Sequence, residues 1–287
     1  MANMREIRGR IKGVKNTQQI TKAMKMVSVS KLRKTQTNMN AMCLFGEHCR
    51  QVMSDLLHSG VSFEHPLLIP RKQVACVTYV VVVGNRGLCG AYNTNLIRHL
   101  ERLLQTEQRP YRVIVIGRWT CEALAKMPVQ QVFDEFPDTP GPEDCIRITE
   151  LLQKMYLSGE TDEIHIVYQH FINVMTQIPQ SIQLLPASVP AEAETATNAD
   201  YRFEPNREEI MAKTVELYLS STVYQILLEA RTGEHSARTT AMGAAADNTE
   251  ELIAALSLEL NRARQAQITT EISEIAGGAA ALEHKKQ

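Results

Sequence analysis

The sequence predicts an α/β domain carried on a long antiparallel coiled coil built from the two ends of the chain. Three observations lead there. No proline interrupts Arg5 to Leu57, and none interrupts Asn206 to Leu282. Both stretches carry apolar residues at alternating three- and four-residue spacing. The middle of the chain alternates β-branched runs with helical ones. A chain that is helical at both ends can bury both apolar stripes by pairing them. The expected organisation is a coiled-coil helix over residues 1–58, a small open α/β domain over 70–205, and a last helix over 206–283 that pairs with 1–58.

In the first segment Ile7, Ile11 and Val14 fall at four-then-three spacing. Ile20, Met24 and Val27 repeat it in a shifted phase after the polar insert Asn16–Gln19. A helix of about 50 residues rising 1.5 Å each would be ~75 Å long, beyond an ordinary globular helix. Pro66 and Pro70 end this part. Gln73–Val83 is continuous and β-branched, as in a strand buried on both faces. A glycine turn follows, then a helix through Leu96–Leu104. Tyr111–Gly117 reads as a second strand and Trp119–Lys126 as a helix. Residues 134–142 hold three prolines and read as a loop. A helix over Asp144–Tyr156, a strand over Glu163–His170 and a short strand over Ser181–Leu185 complete a Rossmann-like open sheet. Residues 186–200 form a polar connector.

In the last segment Ile253, Leu256 and Leu260 keep three-then-four spacing, and Ile268, Ile272 and Ile275 keep four-then-three. Gly233 and Gly243 predict a break or frayed turn near its middle, since each costs about 1 kcal/mol relative to alanine. Leu217, Tyr218, Tyr224, Leu227 and Leu228 are spread widely enough to cover a sheet as well as a helix.

Composition excludes several classes. Net charge is −1 and charged residues make up 22%, so the chain as a whole has no bias toward nucleic acid or membrane. Aromatic residues make up 5%, which suits helix seams better than a stacking platform for bases. The average hides an asymmetry. Residues 1–34 hold ten Lys or Arg against the single acid Glu6, a charge of +9 on a body of −10. Such an arm implies an acidic partner surface. The six cysteines form no C-x-x-C pair and no zinc spacing, so reduced thiols in a cytosolic compartment are expected. The start has no apolar signal core. The longest apolar run, Val77–Val83, is far short of the ~20 residues of a membrane span.

The motifs point away from catalysis. Gly84-x-x-Gly87-x-x-Gly90 sits where a phosphate loop would sit, but it matches neither G-x-G-x-x-G nor a Walker ending, and reads as a tight strand-to-helix turn. Glu234, His235 and Ser236, with Arg238 nearby, suggest a catalytic cluster, but successive helical residues point in different directions. His165 and His170 fall on opposite strand faces and cannot share a metal. No catalytic, cofactor-binding or metal-binding residues are assigned. The basic arm lacks any aromatic residue before Phe45 to stack on bases. Two alternatives stay open on the residues alone: a Rossmann-like nucleotide-binding enzyme and a coiled-coil nucleic-acid-binding protein.

The segments Ile11–Val27 and Asn261–Leu282, with Gly84-Asn-Arg-Gly-Leu-Cys-Gly-Ala-Tyr-Asn93 between them, resemble the γ-subunit family of bacterial F-type ATP synthases. The resemblance runs from the first residues to Leu282. It implies a subunit without catalysis of its own: the central rotor shaft that couples ion flow through the membrane sector to ATP synthesis or hydrolysis. Its implied partners are three α and three β subunits per copy, an ε subunit beside the α/β domain, and a ring of c subunits at the foot, with no cofactor and no nucleic acid. The implied place is the cytoplasmic face of the cell membrane, peripheral, within F1. Carried over residue by residue, Lys22, Met24, Lys25, Arg238, Arg264, Gln265 and Thr269 meet the β-subunit loops. Ile272, Ile275, Ala279 and Leu282 form the tip that turns in the α3β3 bearing. Small residues from Ala276 to Ala281 leave little there to interlock. Asn85 stands where the family usually has Asp, and Thr239 where Met is common; Gly243 is a further departure.

Overall fold

The structure, a computed structural model, describes residues 4–58, 65–134, 136–188, 204 and 206–284, the side chains of 57, 58, 207 and 279–284 excepted. The described residues form ten elements: α1 (Met4–His58), β1 (Val77–Val82), α2 (Tyr92–Thr106), β2 (Tyr111–Ile116), α3 (Glu122–Ala125), β3 (Val129–Phe133), α4 (Pro142–Leu157), β4 (Glu163–Phe171), β5 (Gln177–Leu185) and α5 (Arg207–His284). They divide into two compact units, Met1–Met26 with Ala241–Gln287, and Val27–Thr240.

The larger unit is an α/β fold around a five-stranded sheet of order β3-β2-β1-β4-β5. β1, β2, β3 and β4 run parallel and β5 runs antiparallel to β4. β1, at the centre, is buried along its whole length, as its unbroken β-branched run requires. Its residues divide by parity. Val77, Tyr79, Val81 and Val83 pack with Leu96, Ile97 and Leu100 of α2 and with α3. Val80 and Val82 face the other way, onto Ile148, Leu152 and Tyr156 of α4 and onto Val215, Leu219, Val223, Leu227 and Ala230 of α5. The last helix therefore covers the sheet as well as pairing with α1. Leu217, expected in that cover, is exposed instead.

Three local expectations are revised. β3 went unforeseen because two of its five residues are Gln and it lies on the sheet edge, where no strong alternation is imposed. β5 is longer than Ser181–Leu185 because Pro179 is tolerated on an edge strand, where a missing N–H need not break a ladder. The helix expected over Trp119–Lys126 shrinks to Glu122–Ala125, and Trp119 instead donates its backbone N–H to Gly84 O.

α5 has no break: it continues through both Gly233 and Gly243. At Gly233 the ring of Tyr92 packs so closely that an added Cβ would sit 3.2 Å from it. At Gly243 the Lys25 side chain lies across the helix, its Nζ 3.5 Å from that position. Neighbours covering the two glycines outweigh the ~1 kcal/mol that each costs.

The pairing of α1 and α5 is antiparallel in each unit. In the smaller one Gln18 donates to Glu250 (3.4 Å), Lys22 pairs with Glu250 (3.7 Å), and Lys25 lies over Gly243. In the larger one Gly46 and Cys43 meet Gln225, and Met39 and Met42 pack with Leu228. Rising numbers on α1 thus meet falling numbers on α5. Along α1 most buried positions keep one heptad phase, Ile7, Thr21, Ser28, Leu32, Thr35, Met39, Met42, Cys49, Met53 and Leu56, while Ser54 and Asp55 are buried outside it. The shifted phase expected at Ile20, Met24 and Val27 does not occur. Ile20 and Val27 are 60% and 55% exposed, because Thr21 and Ser28 hold the slots one position on.

Candidate functional site

The residues assigned to partner contact fall at three places. Lys22, Met24 and Lys25 share about one turn of α1. Met24 is half-buried, while Lys22 and Lys25 are exposed and face the Gly243–Glu250 stretch of α5. Arg264, Gln265 and Thr269 lie elsewhere, about 20–30 Å further along α5 from Glu250 at 1.5 Å per residue. The antiparallel register explains their surroundings. Gln18 is level with Glu250, so the described part of α1, which starts at Met4, reaches about residue 264 of α5. Beyond that point every described side chain of α5 is exposed. Ile268, Ile272 and Ile275 continue the seam spacing with nothing opposite them among the described residues, and Ile275 is 73% exposed. The side chains of Ala279 and Leu282 lie outside the described residues.

Arg238 has quite different surroundings. It is buried, and its guanidinium donates to Gly87 O (3.2 Å), Arg86 O (3.0 Å) and the Glu234 carboxylate (2.7 Å). Glu234 also accepts from Arg231 Nη1 (2.7 Å) and from the backbone N–H of Asn85 (3.2 Å). Burial pushes the Glu234 carboxyl up, but the two guanidinium groups outweigh it and hold it below its usual range. Arg231 further donates to Val83 O and Asn85 Oδ1, and lies over the Phe136 ring. Asn85 Nδ2 donates to Phe136 O and to Asp138. Lys31 of α1 closes the network on the Asp138 carboxylate. Burial raises the Asp138 carboxyl, yet Lys31 and Asn85 bring it down to about 2.

His235 belongs to the same cluster. Its Nε2 faces Asp138 O (3.3 Å) and its Nδ1 faces Arg238 Nη1 (3.5 Å). A carbonyl only accepts and a guanidinium only donates, so the ring is neutral with its proton on Nε2. Burial, which lowers the imidazole pKa, favours the same state.

This cluster lies beyond the carboxyl ends of β1 and β3, the end of an open α/β sheet where ligands bind. Gly84 carries no side chain because a Cβ would stand 3.0 Å from the Glu234 carboxyl carbon and 3.1 Å from Asn93 Oδ1. Gly117, at φ 120°, lets the end of β2 close against Val83 O, 2.3 Å from where its Cβ would be. The N–H groups of Gly84 and Asn85, which a phosphate loop would offer, are already spent on Asn93 Oδ1 (2.8 Å) and Glu234. Tyr92 and Gln169 fill the remainder through Ala230 O and Tyr92 O. The chain's own side chains stand where a nucleotide phosphate would lie.

Sequence reasoning missed Arg231 altogether and treated Glu234, His235 and Ser236 as neighbours that diverge. The usable signal was the spacing Arg231, Glu234, Arg238, which places three charges on one helical face among small residues. Among the described residues no group of His, Cys, Asp and Glu could hold a metal ion, and no helix is long and apolar enough to cross a membrane.

Comparison with known proteins agrees with this architecture. A family model described as ATP synthase matches residues 3–282. The chain is 42% identical to the ATP synthase gamma chain of Desulfitobacterium hafniense, over 99% of this chain and all of the relative. It is 43% identical to that of Symbiobacterium thermophilum, over 98% and 99% of the two chains. Its fold is similar to a chain of the Euglena gracilis mitochondrial ATP synthase, solved with OSCP, F1 and c-ring. That match has a TM-score of 0.68 at 20% identity, over 99% of this chain and 96% of the other. With long helices paired antiparallel, a Rossmann-like sheet whose ligand crevice is filled from within, and near-complete likeness to curated relatives, the chain belongs to the ATP synthase gamma-chain family.

Proposed function

We propose that this chain is the central rotor shaft of an F1Fo ATP synthase, turning inside an α3β3 ring and catalysing nothing itself. The observation that carries the reading is the overhang of α5. Past the described part of α1, α5 presents Ile268, Ile272 and Ile275 at seam spacing with no described residue covering them. Exposed isoleucine rows on an unsupported helix are costly in water unless a partner covers them. The apolar bearing of an α3β3 ring would do so, with Ala279 and Leu282 further along the same tip. Arg264, Gln265 and Thr269, just below it, would face the β-subunit loops. Lys22, Met24 and Lys25 would face acidic loops lower down, where the +9 of residues 1–34 favours such a partner.

In this reading residues 1–58 and 206–283 are the shaft and 70–205 the domain that carries the ε subunit and reaches the c-ring. The finer location is the cytoplasmic face of a bacterial cell membrane. The load is large: each charge crossing 100 mV releases ~2.3 kcal/mol, so several per ATP store on the order of 10 kcal/mol in the shaft. That equals the whole margin of many small domains, ~5–15 kcal/mol, and favours paired helices over a single one. The test is reconstitution with α and β subunits from the same source, read by native mass spectrometry and ATPase rate. A complex with three α, three β and one copy of this chain, active where the chain alone is silent, is expected. Absence of that complex, or ATPase from the isolated chain, would refute the reading.

A further inference from the structure

We propose that the buried cluster of Arg231, Glu234 and Arg238 with Asn85, Asp138 and Lys31 is a torsional clamp. It fixes the angle of α5 against the sheet so that torque passes between them without slack. The proposal rests on the rotor-shaft reading and identifies the positioning residues that reading requires.

Four observations support it. The apolar cover that α5 gives the sheet ends at Ala230, and the polar cluster begins at the next residue. Apolar contact is non-directional and permits sliding, whereas charge-assisted hydrogen bonds fix both rotation and translation. Next, apart from the bond of Arg231 to Asn85 Oδ1, the bonds that these α5 residues make to the β1–α2 turn and the loop before α4 reach backbone rather than mobile side chains. Arg231 takes Val83 O, Arg238 takes Arg86 O and Gly87 O, Glu234 takes Asn85 N, and His235 takes Asp138 O. Backbone acceptors have no rotamers to absorb a twist.

The grip also comes from several directions on under three turns of helix. On the same stretch Tyr92 bonds to Ala230 O (2.6 Å) with its ring against Gly233, and Ser236 Oγ donates to Val174 O (2.6 Å) in the β4–β5 hairpin. The β1–α2 turn, the loop before α4, α2 and the hairpin therefore all hold residues 230–238. Lys31 adds α1 through Asp138. Finally, buried ion clusters are poor sources of stability compared with apolar packing of similar volume, so their established use is to specify one arrangement over its neighbours. A site under alternating load needs that property.

The test uses the complete F1Fo complex in sealed vesicles with Glu234→Gln, which keeps shape and removes the charge both arginines share. Three quantities are read: thermal stability of the complex, ATP hydrolysis with the ion gradient collapsed, and the largest gradient that hydrolysis can sustain. The expected result is near-normal unloaded hydrolysis with a several-fold loss of the sustained gradient. Lys31→Gln, at the rim of the cluster, removes the α1 arm without burying an unpaired arginine and decides the matter if Glu234→Gln fails to assemble. A smaller loss of the same kind is expected from it. A wild-type gradient in the assembled variants overturns the clamp. So does a parallel fall in the sustained gradient, unloaded hydrolysis and thermal stability, which would mark a merely structural role. If the wild-type chain itself fails to join α3β3, the shaft reading falls, and the clamp with it.

Discussion

Alanine at Gly233 and at Gly243, both within α5, should have opposite effects. Gly→Ala in a helix gains about 1 kcal/mol from propensity alone. At Gly243 the new methyl would meet the flexible end of Lys25 at 3.5–4.0 Å, ordinary contact with a side chain free to move. The full gain is expected there. At Gly233 it would meet Tyr92 at 3.2 Å and Gln177 at 3.4 Å. Tyr92 cannot retreat cheaply: its ring is buried, its hydroxyl is bonded to Ala230 O and its carbonyl to Gln169. Overpacking of this kind costs about 1–3 kcal/mol, which cancels or exceeds the propensity gain. The two variants should therefore differ by about 1–2 kcal/mol or more, a factor of roughly 5–30 in local opening. Native-state hydrogen exchange reads each site separately, which matters in a chain of two units. Slower exchange around residue 243 in Gly243→Ala is expected, with unchanged or faster exchange around 233 in Gly233→Ala. Equal protection in both would refute the claim that Tyr92 dictates glycine there.

Three further outcomes follow from the same geometry. Met24→Lys should leave assembly intact but lower the ions pumped per ATP, because an added cation beside Lys22 and Lys25 would hold a partner carboxylate; wild-type pumping efficiency would count against this. Gln265 is exposed in the chain alone, so Gln265→Leu should change the chain's own stability by under about 0.5 kcal/mol while weakening the assembled complex; an unaffected complex would place no partner at this residue. Burial holds His235 below its usual 6.5, so the unfolded chain binds its proton first as pH falls, and stability is full above 6.5 and declines beneath it. His235→Gln should flatten that decline in denaturant titrations across pH, and an unaltered slope would mean that the ring does not titrate with unfolding.

The long helices, the central strands and the family were legible because their signals are local or cumulative. Val77–Val82 is β-branched without interruption, and a seam repeats over dozens of residues. Edge strands carry weaker signals: β3 has glutamines facing out, and β5 contains Pro179. The heptad phase at Thr21 and Ser28 was hidden because apolar Ile20 and Val27 offer a better local pattern one residue away. Only the continuity of α1 with Ile7 at one end and Leu32 and Met39 further along makes the polar positions the buried ones.

Of the candidate contacts, the sequence supplied the residue types and their order along the chain. It could not say that Arg238 is turned inward while Arg264 and Gln265 stand free. That depends on register, which decides which part of α5 lies level with the described residues of α1, and a single sequence does not encode the offset between distant helices. The filled crevice has the same cause. Arg231, Glu234 and Arg238 share a helical face by spacing alone, but their target is the backbone of Val83–Gly87, some 150 positions earlier, and only tertiary packing brings α5 across the end of β1. Local chemistry determined the elements, and the docking of one element on another decided which charges are buried and which are free for partners.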